Sequence, residues 1–199
     1  MVAPSLDAVA RHRHYAAMLG DPICRPYRLL ARNARLANAR LDRACVALAP
    51  GEWEAPRTSF FPSLKHTMVH LLDADRWYIG LLRGDHPDLV NEAGSRATPA
   101  EFTRERAEVD DWLVGFCESL GAGELSRPVK IDLPGTESLA DLLLHIFLHG
   151  QHHRGQIHSM LSGTSIAPPQ IDEFILAGLA DDRAGDLEAL GKSEDWLRQ

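Results

Sequence analysis

Four stretches of this chain repeat apolar residues at three- and four-residue steps, each closed by a turn signal, and that periodicity restricts the fold to packed helices. The first, over 27–48, carries Leu29, Leu30, Leu36, Leu41, Val46 and Leu48 with alanines between, and Pro50-Gly51 ends it. The second opens after Pro62 with Ser63 as its cap, presents Leu64, Met68, Leu71, Leu72, Tyr78 and Leu82, and stops before Gly84. The third has the clearest start: Thr98-Pro99-Ala100-Glu101 places a capping residue, a proline at the first helical position and a glutamate able to complete a capping box. It runs to about 120, where Gly121-Ala122-Gly123 stops it. The fourth opens near Ser138, with Asp141 three residues on, and runs to about 162 before Gly163.

Residues 124–136 read as a short extended piece or a loop, and Pro168-Pro169 precedes an expected short helical segment over 170–179 and then a polar tail. The first 20 residues fit either a short extra helix or a disordered lead. With no convincing strand alternation, internal repeat or interdomain linker, the expectation is one all-α domain over 1–199, a four-helix bundle with its core at about 27–180 and short extra segments at both ends.

Composition narrows the function classes. A net charge of −7 argues against nucleic acid or an anionic membrane as partner. Arg28, Arg32, Arg35, Arg40 and Arg43 form a local basic stretch, but without an aromatic ladder it reads as a solvated helix face. No apolar run approaches the roughly 20 residues that span a bilayer. The N-terminal segment lacks an apolar signal core, so the cytoplasm is the expected compartment. Cys24, Cys45 and Cys117 show no C-x-x-C spacing and fit reduced thiols better than a disulfide framework or a cysteine zinc site.

The ten histidines are clustered. On the fourth helix His145, His149 and His153 follow at four-residue steps, and at 100° per residue His145, His153 and Gln156 lie within about 40° of His149. Leu142, Ile146, Ile157 and Met160 fall beside them, so the imidazoles sit in an apolar stripe that should face the bundle interior. A buried imidazole needs partners for both ring nitrogens, and two charged ones a turn apart repel. A shared metal ion resolves both demands, because neutral histidines at i and i+4 can each give a lone pair to one cation. The second helix adds His70, on a face with Thr67, Ala74, Trp77 and Leu81; His66, one turn earlier and about 40° round, is a rival. Three imidazoles would leave coordination positions open for water or substrate. The plainer reading of any single inward histidine is a hydrogen-bonded core residue.

Competing motifs are absent. Gly150 follows His149, so the H-E-x-x-H metalloprotease helix does not occur. The glutamates and Glu-x-x-His pairs of di-iron bundles are missing, as are a Walker loop, a G-x-G-x-x-G fingerprint and a nucleophile elbow.

Three segments together resemble the DinB family of metal-dependent bundles. The first helix reads Leu29-Leu30-Ala31-Arg32-Asn33, then Leu36-Ala37-Asn38-Ala39-Arg40-Leu41, with Leu36 where an aromatic is usual. The second reads Phe60-Phe61-Pro62-Ser63, Thr67-Met68-Val69-His70-Leu71-Leu72 and Ala74-Asp75-Arg76, where Pro62 and Val69 replace the usual glycine and asparagine. The fourth carries the most specific match, His149-Gly150-Gln151-His152-His153-Arg154-Gly155-Gln156. The resemblance spans roughly 27–180 and implies His70, His149 and His153 as metal ligands, favouring His70 over His66. Gln156, His145 and His66 are then neighbours placed to hydrogen-bond and orient the ligands, and Arg154, about 100° from His153, is expected to pair with an acid or cap carbonyls instead.

The resemblance further implies one divalent transition metal, with zinc, nickel, iron and manganese not distinguished by three imidazoles. It implies a small-molecule substrate, with a low-molecular-weight thiol such as bacillithiol or mycothiol transferred to an electrophile. Hydrolysis and a non-catalytic, metal-holding role use the same ligands. Leu144, Phe147 and Leu148 make the fourth helix apolar on its other side too, which together with the family's habit implies a homodimer.

Overall fold

Local signals set each helix of the bundle, and the computed structural model describes residues 21–85, 98–131, 135–172 and 176–199. Helix α1 (Arg25–Val46) follows a single 3-10 turn at Pro22–Cys24 whose cap is Asp21. Helix α2 (Leu64–Arg83) starts at Ser63, whose Oγ accepts from the His66 amide, and ends at Gly84 with φ 85°, the left-handed geometry that glycine adopts without a Cβ penalty. Helix α3 (Pro99–Ser119) has the expected capping box: Thr98 Oγ1 accepts from Glu101 N at 3.3 Å and Glu101 Oε2 accepts from Thr98 N at 3.1 Å. Helix α4 (Leu139–Leu161) is capped by Ser138, whose Oγ accepts from Asp141 N at 3.1 Å.

Around the bundle α1 packs chiefly on α3 and next on α4, while α2 packs on α4 and α3, so α1 and α2 lie diagonally. Leu36, Leu41, Leu64, Leu72, Phe102 and Ile157 fill one half of the core; Leu113, Leu139, Leu143 and Ile146 fill the other. Cys24, Cys45 and Cys117 are buried free thiols. Among the described residues no helix is long and apolar enough to cross a membrane.

Two sequence expectations change, and one open alternative is decided. The extended piece allowed over 124–136 is present as β1 (Pro128–Lys130), which pairs antiparallel with β2 (Thr136–Ser138), Val129 opposite Glu137. It delivers the chain to the α4 cap. The short helix expected over 170–179 is displaced toward the C-terminus: the described part holds only a 3-10 turn at Ala177–Leu179, and α5 (Ala180–Ala189) and α6 (Glu194–Arg198) occupy the supposed polar tail. Their polar composition hid them, because charge does much of the docking. Arg183 is buried, pairs with Glu194 and donates to the Leu176 carbonyl at 2.9 Å, while Leu187 and Leu197 enter the core. The expected alternatives for the first 20 residues lie outside the described residues.

The second correction concerns the arginines of α1, which are not a solvated face. Arg28 and Arg32 are buried, Arg32 pairs with Glu118 and Arg35 with Asp111 on α3, and Arg40 and Arg43 both hold Asp186 on α5. A basic run on one helix thus meets acids brought from three other places in the sequence, which no local pattern announces.

Deeper still, Arg106 of α3 is 1% exposed and lies between Asp75 Oδ2 at 2.7 Å and Asp110 Oδ1 at 2.6 Å. Asn38 Nδ2 donates to both Asp110 oxygens, at 3.0 and 3.1 Å. Burial works against the Arg106 charge, but Asp110, Asp75 and Asp42 more than offset it, so its pKa stands above the usual range. Removing one member of such a pair strands the others in the core. Arg106→Ala should therefore cost about 3–5 kcal/mol of unfolding free energy, read by chemical denaturation; a loss under about 1 kcal/mol, the range of exposed pairs, would contradict the cluster's structural role.

Candidate metal centre

Helix α4 carries His149 and His153 one turn apart, and α2, its neighbour, carries His70; burying the apolar residues beside them turns all three rings toward the seam between the helices. The ring centroids stand 4.5 Å apart for His149 and His153, 4.7 Å for His70 and His153, and 5.4 Å for His70 and His149. One nitrogen from each ring lies within 4.8 Å of the other two. This is the one group of three or more potential ligands found among the described residues.

The hydrogen bonds bear on whether this donor set fits a cation. Gln156 Oε1 is 2.8 Å from His153 Nδ1 and can accept its proton, which leaves His153 Nε2 as a free lone pair. That Nε2 faces His149 Nε2 at 3.1 Å. Two bare lone pairs at this distance repel, so one proton must lie between them; with it on His149, that ring's Nδ1 is an acceptor, and Nδ1 is buried with no partner. Two nitrogens bound to one ion at roughly 2.0–2.1 Å stand about 3 Å apart. The facing pair has that spacing already.

Electrostatics point the same way. Burial first, then the neighbouring His153 and His70, drive the His149 pKa down to about 4. Burial also lowers His70 and His153, against the pull of Asp73 and Asp75 on the former and the Gln156 hydrogen bond on the latter. All three imidazoles are therefore neutral near pH 7, the form that coordinates a metal.

The other histidines have different work. His66 stays at the α2 cap, its Nδ1 2.8 Å from Ser63 Oγ, and is not in the group. His145 bonds through Nε2 to Tyr78 Oη at 2.7 Å and stacks on His149 with centroids 6.0 Å apart. Gln156 bridges His153 Nδ1 and, at 3.0 Å, His152 Nε2. Arg154 bonds to Gln151 of its own helix at 3.3 Å, while Asp75 and Asp110 support its charge from farther away; burial pulls its pKa to about 10.

Two neighbours were not singled out from sequence. Phe61 lies 4.5 Å from the His70 ring and 5.8 Å from His153, closing one side of the cluster. Its position one residue before the cap segment Pro62-Ser63 was the available signal. Tyr78, read as core from its apolar periodicity, carries a hydroxyl that the period does not reveal.

The sequence profile of the DinB family matches residues 24–184. The chain belongs to the DinB family. It is also similar to the protein named Protein DinB of Bacillus subtilis (strain 168), at 26% identity over 121 residues, covering 55% of this chain and 70% of the relative. No solved structure matches the chain. The DinB match contains all three clustered histidines, and the geometry fits a metal-binding member of the family.

The depressed His149 pKa has a measurable sign. In metal-free protein the unfolded chain binds a proton at about 6.5 that folded His149 refuses until about 4. The stability contribution is thus full above pH 6.5 and falls as pH drops toward 4. Comparing the metal-free chain with its His149→Ala variant by thermal unfolding, the difference between the two should move against the histidine form across that window and be flat above it. A difference independent of pH would contradict the assignment.

Proposed function

We propose that this DinB-family chain is a metal-dependent enzyme in which His70, His149 and His153 hold one divalent transition metal and a small thiol is transferred to an electrophilic substrate. The observation that carries the reading is the facing Nε2 pair of His149 and His153, with His153 oriented by Gln156 and His70 arriving from the neighbouring helix. The ion supplies, when bound, the lowered pKa that makes a coordinated thiol or water a nucleophile near neutral pH.

The chain's own residues supply the rest. Gln156 keeps the proton of His153 on Nδ1, so the lone pair stays directed into the cluster. Phe61 shields one side of the imidazoles from water and strengthens electrostatic interactions there. Tyr78 Oη shares a proton with His145 Nε2 beside His149, a place where a proton released from the thiol can be accepted and passed outward. In the reaction the thiol sulfur forms a bond to the electrophilic carbon as the bond from that carbon to its leaving group breaks. Three protein ligands leave room for a reactant, which favours this reading over a closed structural site.

Elemental analysis of untagged protein tests the ligand set. His70→Ala, His149→Ala and His153→Ala should each lose most bound metal and His66→Ala should keep it; full metal in the His149 variant would overturn the assignment. Gln156→Ala should weaken metal affinity about 10–100-fold while leaving the fold intact.

Transfer from a panel of small thiols to a chromogenic electrophile should stop with a chelator and return on adding metal. Activity indifferent to chelation would discard the mechanism. Metal retention without any transfer would instead support the non-catalytic, metal-holding reading.

A further inference from the structure

Helix α4 has a second face that the histidine cluster does not use. At 100° per residue Leu144, Phe147, Gln151 and Arg154 fall between about 140° and 220° from His149, on the opposite side of the helix. There α1 contributes Leu30 and Asn33, and the two helices enclose a groove of about 350 Å³.

The groove has a dry wall and a charged floor. Leu148 is 69% exposed and Leu144 42%, so they form the mouth, whereas Phe147 and Arg154 are buried and lie deep. Arg154 is only 5% exposed, yet no carboxylate of the described residues forms an ion pair with it, its Nε has no partner, and its one hydrogen bond is to Gln151 at 3.3 Å. A buried guanidinium carries five N–H donors and costs free energy when they go unmatched.

The placement of Arg154 is built into the helix. A Cβ at position 150 would come within 2.9 Å of Arg154 Nη1, so the guanidinium lies over Gly150 where any larger residue would push it away. Asp172, exposed at the mouth, already accepts from Gln170 Nε2 and repels a second anion there. A carboxylate therefore finds complementary charge only at depth, with its apolar remainder along the leucines.

We propose that the α1–α4 groove is a second binding site, separate from the histidine cluster, for a small carboxylate with an aliphatic body, its carboxylate on Arg154 and its chain along Leu30, Leu144 and Leu148. Bidentate pairing of a guanidinium with a carboxylate is the strong form of this contact, and burial of alkyl surface adds to it.

Isothermal titration of the full chain with decanoate, with decan-1-ol as the neutral comparison, tests this. Decanoate should bind one per chain, at least about tenfold more tightly than the alcohol. Leu148→Asp, at an exposed position that does not threaten the fold, should weaken decanoate about tenfold. His149→Ala should bind it as the parent does, whatever becomes of the metal.

No binding, equal binding of acid and alcohol, or indifference to Leu148→Asp would overturn the proposal. So would loss of binding in His149→Ala, which would put the carboxylate on the histidines. A chain that is dimeric by sedimentation and made monomeric by Leu148→Asp would assign the groove to a second copy instead, and would overturn it equally.

Discussion

Packing α4 against α2 gathers three imidazoles in a seam where His153 is buried and His149 Nδ1 is cut off from solvent without a partner. The cost of an unmet buried nitrogen is on the order of 1–3 kcal/mol, comparable to a sizeable fraction of a domain's net stability. Protonation does not relieve it, because burial and the neighbouring rings both oppose charge, as the depressed His149 pKa shows. A single proton between His149 and His153 satisfies one pair of nitrogens and leaves His149 Nδ1 without a partner. A cation shared by the two Nε2 atoms removes the repulsion of their lone pairs with no proton between them, while His149 Nδ1 lacks a partner in either case. The facing pair therefore fits a ligand set.

That seam is supported from behind by charge. Asp75 lies five residues beyond His70 on α2, and its pairing with Arg106 ties α2 to α3 beneath the cluster. Asn38 of α1 joins through Asp110, so one buried polar group links three helices. Such a network is costly unless nearly every member is paired. Asp42 is also buried here with Oδ1 unpartnered, and burial, then Asp110, raises its pKa well above the usual range. Arg106 meets Asp75 and Asp110 directly, and Asp42 supports its charge from nearby. The positions of His70 and of the α3 backbone are then coupled through groups outside the histidine cluster.

How much of this was legible depended on whether the information was local. Helix starts were readable because caps act over three residues: Thr98 with Glu101, Ser63 with His66 and Ser138 with Asp141 all cap as the sequence implies. The histidine stripe was readable because a four-residue step on an apolar face has one geometric consequence. His70 against His66 was not decided by angle alone, since 40° of rotation is within the tolerance of a packed helix; the resemblance to a known family favoured His70, and the structure shows His66 engaged at the cap. The α1 arginines were misread because their partners, Glu118, Asp111 and Asp186, lie 76 to 146 residues away. The C-terminal helices were missed because Arg183 joins α5 to Glu194 of α6, and Arg40 of α1 holds α5 through Asp186, by ion pairs that look, in sequence, like solvated charge.

Two faces of α4 now carry different chemistry one residue apart, since His153 looks into the seam and Arg154 toward α1. Because both ride on one helix, a rotation of α4 that moves one moves the other. Asp75 and Arg106 tie α2 to α3, so both helices that hold the imidazoles are anchored in the bundle. The remaining wall is the segment before α2, closed on itself by Arg57 N donating to the Pro62 carbonyl at 2.8 Å and anchored by Arg57 Nη1 on the Gly163 carbonyl. It presents Phe60 to solvent and Phe61 to the histidines. The cluster is thus built from two parts: the imidazoles come from the helices and the aromatic wall from the segment before α2.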